Sequence, residues 1–190
     1  MTQSLTNQLL VAMPQLKNTS FDQSVIYVCQ DDAQGTMGLV VNQAIDETLR
    51  KIFIELDIDH HQTDHDILHK PIHIGGPVKR DNIFILHTPI SYKTYESTMV
   101  LSEHLHITQS IDILEDIARN FGPAEFMVFA GCSSWSKQQL LSEIKNNDWL
   151  TLNSSAKLLF QSDNAIKWHE CLKNLGIDQP AFLSEQQGHA

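Results

Sequence analysis

Cysteine is sparse in this chain, and positive charge is sparser still in clusters. The three cysteines, Cys29, Cys132 and Cys171, are widely spaced and form no C-x-x-C pair. That excludes a disulfide scaffold and argues for reduced thiols. Lysine and arginine total 13 against 23 acidic residues, for a formal charge of −10, and the only adjacent basic pairs are Arg50-Lys51 and Lys79-Arg80. A duplex-binding surface gains affinity by neutralising phosphates with clustered cations, so the composition argues against direct nucleic-acid binding. Eight glycines and six prolines exclude collagen-like and low-complexity classes. No apolar run nears the ~20 residues of a membrane-spanning helix, and no membrane partner is expected. The opening residues lack the cationic and apolar regions of a signal peptide, so the expected location is cytoplasmic.

What is present is an ordinary folding composition. The chain has 190 residues, 42% of them hydrophobic and 19% charged. A chain of this length buries roughly 70% of the surface its unfolded form exposes, so it needs no metal or disulfide to fold. With no linker or composition break, residues 1–190 read as a single domain.

Strand signals dominate the first half. Leu9–Met13 reads as a buried strand, and 24–30 with 36–41 as an antiparallel hairpin around Asp31-Asp-Ala-Gln-Gly35. From Asp46 to Leu56, Leu49, Ile52, Phe53 and Leu56 share one helical face, with Asp46 as the N-cap. Residues 57–70 turn polar and read as mostly surface loop. Strands are predicted at 72–77, 82–87, 98–101, 104–107 and 125–130. Ser110 is placed as the cap of a helix with Ile111, Leu114, Ile117 and Ala118 on one face, stopped by Gly122-Pro123. Gly131–Ser134 reads as a turn before a helix running to about Asn147, where Ser136 and Gln139 match a capping box. A last helix spans 163–175 and ends at Gly176. Hairpins without regular β-α alternation predict an α+β fold with a mixed, mostly antiparallel sheet.

Few residues carry recognisable chemistry. His61, His65 and His69 recur every four residues among aspartates, but the glutamate of H-E-x-x-H is missing, and no metal site is assigned. No G-x-S-x-G, P-loop or G-x-G-x-x-G pattern occurs, no catalytic residue is named, and no cofactor is implied. Cys132, between a strand and a helix start, is the redox candidate, because unsatisfied helix N–H groups stabilise a thiolate. Cys29 alternates with core positions of its strand. Gly75 and Gly76 permit a tight turn or a close backbone approach. His87, ending an apolar strand, is either a general base facing a cleft or a buried histidine bonded to a carbonyl. Trp135, Trp149 and Trp168 either line a pocket or fill the core.

Several stretches, taken in order, resemble the AlgH (YqgE/AlgH) family of small bacterial proteins. They are Leu10-Val-Ala-Met-Pro14, Phe21–Cys29, Gly35–Asn42, Gly75-Gly-Pro-Val78 with Leu86-His87, Thr108–Ser110 with Asp112–Leu114, Gly131–Leu150, and Gly188-His-Ala190. The resemblance covers nearly the whole chain. It implies a cytoplasmic bacterial protein whose α+β sheet curls into a partly closed pseudo-barrel with flanking helices. It implies no reaction, since the family is described as a transcriptional regulator by association only. One departure stands out. The family's turn is similar to Gly-Tyr-Ala-Gly-Trp-Gly-x-Gly-Gln-Leu, whereas here Ser134, Ser136 and Gln138 replace glycines and Cys132 occupies the tyrosine position.

Two functions follow as expectations. The first is a regulatory adaptor acting through protein contacts with an unidentified partner. The alternative is a small-molecule binder or enzyme with a cleft near Gly75, Gly76, His87, Cys132 and Trp135. The sequence does not decide enzyme or non-enzyme, nor the oligomeric state.

Overall fold

The computed structural model describes residues 4–177; Gly188-His-Ala190, quoted above, lie outside them. The chain divides into two compact units, residues 4–43 with 133–177, and residues 44–132. One strand, β9 (Phe126–Trp135), contributes to both.

In the first unit, β1 (Gln8–Ala12) pairs antiparallel with β10 (Trp149–Asn153) on one side and with β2 (Val25–Asp31) on the other. The predicted hairpin joins β2 to β3 (Thr36–Val40), and β3 pairs in turn with the last residues of β9, Gly38 opposite Ser133 and Thr36 opposite Trp135. Helix α4 (Lys137–Lys145) starts where predicted, its N-cap Ser136 accepting from the Gln139 amide at 3.2 Å. Helix α5 (Asn164–Asn174) starts after Asp163, whose side chain accepts from Ala165 N–H at 2.9 Å. Between them the sequence reading missed β10 and the π-helical turn Lys157–Gln161. The core gathers Leu10, Ile26, Val28, Val40, Leu140 and Trp149, each such burial stabilising by about 1.5–3 kcal/mol.

In the second unit, β4 (Ala44–Thr48) pairs antiparallel with β5 (Pro71–Ile74), and β5 runs parallel to β9. Across β9 lies β6 (Val78–His87), then β8 (Leu105–Thr108) and β7 (Thr98–Ser102), all antiparallel. The β5–β9 ladder is the single parallel pairing among the described strands, so the fold is α+β with a mostly antiparallel sheet, as expected. Helix α1 (Leu49–Glu55) and helix α3 (Ile111–Ala118) bury Leu49, Ile52, Phe53, Ile113, Leu114 and Ile117 in the core of this unit.

Two local expectations are corrected and a third is refined. Helix α1 begins at Leu49, not Asp46, because residues 44–48 are drawn into the ladder with β5 and Thr48 takes the N-cap position. Ile111 is 48% exposed, off the buried face that Ile113, Leu114 and Ile117 form. Helix α2 (His65–Leu68) occupies part of the segment read as loop, and places the His65 and His69 rings 4.0 Å apart on an exposed surface.

Candidate functional site

The stretch read as a turn, Gly131–Ser134, is strand. β9 continues to Trp135 because it has partners on the way, Val78 opposite Cys132 and then β3 opposite residues 133–135. Cys132 is therefore within a sheet, four residues ahead of the α4 cap, with no helix N-terminus at its sulfur. It is 2% exposed, and burial raises its thiol above the usual range, opposed in part by the Lys79 charge. A thiol so placed holds its proton at neutral pH.

Gly75 and Gly76 lie close to it. β5 ends at Ile74 opposite Ala130, and Gly75 N–H donates to Ala130 O at 3.0 Å. Between Val78 and Ile83 the β6 strand bulges, residues 79–82 standing against Gly131 alone. Gly131 has φ +74, and a Cβ there would sit 2.8 Å from both Gly76 O and Val78 O. The structure thus packs Gly75 and Gly76 against the β9 backbone at Ala130 and Gly131, the two residues that precede Cys132.

His87 stands at the opposite end of the same strands. It pairs with Phe126 while Cys132 pairs with Val78. Six residues of strand separate the two levels, roughly 20 Å. His87 is 1% exposed and both ring nitrogens are bonded, Nδ1 to Thr88 O at 2.8 Å and Nε2 to Thr108 Oγ1 at 2.9 Å. A carbonyl can only accept, so Nδ1 carries the proton, Nε2 accepts from Thr108, and Thr108 in turn accepts from Thr98 at 2.7 Å. Burial lowers the imidazole's pKa, opposed in part by the hydrogen bond to Thr88 O and aided by the His106 charge, which favours the neutral ring. Of the two readings, this is the buried histidine bonded to a carbonyl.

Trp135 belongs to the first unit. Its indole N–H donates to Glu143 Oε2 at 3.0 Å, and Trp149 donates to the same oxygen at 2.8 Å, while Gln139 Nε2 holds Oε1 at 2.9 Å. One carboxylate on α4 thereby fixes two tryptophans, with Phe21 stacked on Trp135 at 5.9 Å. Trp168 donates to Ala12 O at 2.8 Å. All three indoles are at most 6% exposed, which is the core-filling alternative. The sequence reading missed Glu143; the signal was a carboxylate four residues after Gln139 and six before Trp149, one turn and a loop from both indoles.

Lys167 was missed too. It is 1% exposed, donates to Val41 O at 3.0 Å and Leu159 O at 2.9 Å, and burial brings its ammonium down to about 8.

Each unit forms a concavity among its described residues. In the second, Ile83, Ile85 and Leu114 floor an open cleft of about 290 Å³, flanked by Leu56 and Ile111 and edged by Asp81. In the first, α4 and the adjacent strands enclose about 200 Å³. Among the described residues no group of three or more histidine, cysteine or carboxylate side chains is placed to hold a metal, and no helix is long and apolar enough to cross a membrane.

An α+β body with a mostly antiparallel sheet hosts binding proteins and enzymes alike, so fold class alone names no activity. Its relatives narrow the matter. The AlgH-like family model matches residues 9–180, and the chain belongs to that family. A UPF0301 protein of Francisella philomiragia is 44% identical over 178 residues, 93% of this chain and 92% of the relative. One from Francisella tularensis subsp. mediasiatica is also 44% identical, over 93% and 91%. The solution structure of AlgH from Pseudomonas aeruginosa superposes with a TM-score of 0.78 at 32% identity, covering all of both chains. DIP2367 from Corynebacterium diphtheriae shares the fold, with a TM-score of 0.71 at 18% identity over 96% and 91%.

Proposed function

We propose that this protein is a regulatory adaptor that works by binding another protein, and that the cleft of the second unit is its contact. The observation that carries the reading is the exposed apolar surface there. Leu56 and Ile111 are 43% and 48% exposed, and they flank a floor of Ile83, Ile85 and Leu114. Asp81, Asn82 and Gln109 edge it. An apolar centre with a polar rim is the anatomy of a protein contact, and an anchor side chain seated in a pocket carries most of the affinity. Acidic residues outnumber basic ones in residues 44–132, and Asp81 lies on the rim. The complementary occupant is a basic segment presenting an aliphatic or aromatic anchor.

The test uses fluorescent peptides with a central leucine or tryptophan flanked by lysines, against the same peptides flanked by glutamates. The expected result is saturable binding of the basic series, about tenfold tighter than the acidic one, and a loss of about tenfold in the Ile111→Asp variant. Ile111 is a surface residue, so the variant folds. Equal binding of the two series, no binding by either, or indifference to I111D overturns the reading.

A further inference from the structure

The cavity of the first unit is built from different elements than the surface just described. Its apolar wall is Leu5 with Leu140, Leu141 and Ile144 of α4. Thr36 and Thr151 line it too, and its charged groups are of opposite sign, the Asp31 carboxylate at the end of β2 and the Lys137 ammonium in the first turn of α4.

The two charges are held differently. Asp31 is fixed by two donors, the Leu5 amide on Oδ2 and the Thr36 hydroxyl on Oδ1, both at 2.8 Å. An ionised carboxylate accepts about four hydrogen bonds, so acceptor capacity remains. Lys137, among the described residues, forms no ion pair and its ammonium makes no hydrogen bond. Its charge is felt at Asp32, and it sits where the α4 dipole also favours an anion. An acceptor set for a cation and a donor set for an anion thus line one apolar cavity without pairing with each other.

Size narrows the ligand. About 200 Å³ is below the range of cofactor and drug sites, and somewhat larger than a cavity that holds benzene, so it accommodates roughly nine non-hydrogen atoms. That is too little for a nucleotide.

We propose that this cavity binds a free aliphatic α-amino acid of the size of valine, leucine or isoleucine. Lys137 takes the carboxylate, Asp31 takes the ammonium, and the aliphatic side chain packs on Leu140, Leu141 and Ile144. No bond is made or broken. Because Leu140 and Ile144 pack in the same cluster as Trp135 and Trp149, occupancy is sensed by the indoles.

The experiment is a titration of the full chain with leucine, isoleucine and valine, followed by tryptophan emission and by calorimetry. Three controls each lack one feature: isoamylamine has no carboxylate, 4-methylpentanoate no ammonium, and glycine no side chain. Saturable binding of at least one of the three amino acids is expected, with every control about tenfold weaker or worse. Lys137→Gln is expected to lose about tenfold with unchanged far-UV circular dichroism, since Lys137 is a partly exposed helix residue. Leu141→Trp, which fills the cavity, is expected to abolish binding. No saturable response up to about 10 mM overturns the proposal. So does a control that binds as well as its parent, or full binding by K137Q or L141W. Should K137Q lose its helical signal, the three controls on the unaltered chain decide alone.

Discussion

At the scale of single residues, environment decides what a side chain's chemistry amounts to. His87 has the residue type of a general base, but two hydrogen bonds and near-complete burial leave its ring neutral and enclosed. The consequence is measurable in stability. Its folded pKa lies below the ordinary 6.5, so the unfolded chain binds the proton first as pH falls. The stability it confers is complete above about pH 6.5 and is lost on acidification toward the lower folded value. Urea unfolding between pH 7.5 and 5 is expected to show a steeper loss for the wild type than for His87→Gln. At pH 7.5 the variant itself is expected to be less stable by about 2 kcal/mol, because Thr88 and Thr108 lose well-placed partners. Cys132 illustrates the same lesson, its thiol being kept protonated by the burial that strand pairing imposes.

At the scale of elements, partners override local signals. Asp46 is a good N-cap residue, but the β5 backbone offers residues 44–48 a ladder, and the helix waits until Leu49. Gly131 looks like the opening of a turn and is instead the point where one strand absorbs the bulge of its neighbour. Its positive φ and the two carbonyl oxygens 2.8 Å from a would-be Cβ leave no room for a side chain there. Gly131→Ala is expected to cost about 3 kcal/mol in denaturant unfolding, from strain plus displaced backbone. Gly176→Ala, with φ +80 and nothing within 4 Å, is expected to cost only about 1 kcal/mol, the conformational part by itself. Finding the two costs equal would remove steric approach as the reason for Gly131.

At the scale of the whole chain, net charge is the property with the widest reach. At −10 with two isolated basic pairs, the protein is expected to show no saturable binding to promoter-length duplexes in an anisotropy titration, and no salt-dependent rise as ionic strength drops from about 200 to 50 mM. Family membership was legible in ordered short motifs, and so were the fold class, the β2–β3 hairpin, the Ser136 cap and the Gly176 stop, since each depends on near neighbours or on hydrophobic period. β10 was not, because Trp149–Asn153 becomes a strand by pairing with residues some 140 positions earlier. Of the candidate residues, Gly75 and Gly76 meet the β9 backbone at Ala130 and Gly131, beside Cys132, whereas His87 lies six residues along the ladder from Cys132. Composition and periodicity alone determined the charge, the class of fold and most element types, for these are sums over the chain or patterns within a few residues. Only tertiary structure decided which groups are buried, that Glu143 joins two indoles, and that Asp31 and Lys137 line one cavity, because proximity across a sheet is set by register between distant segments, which no local pattern encodes.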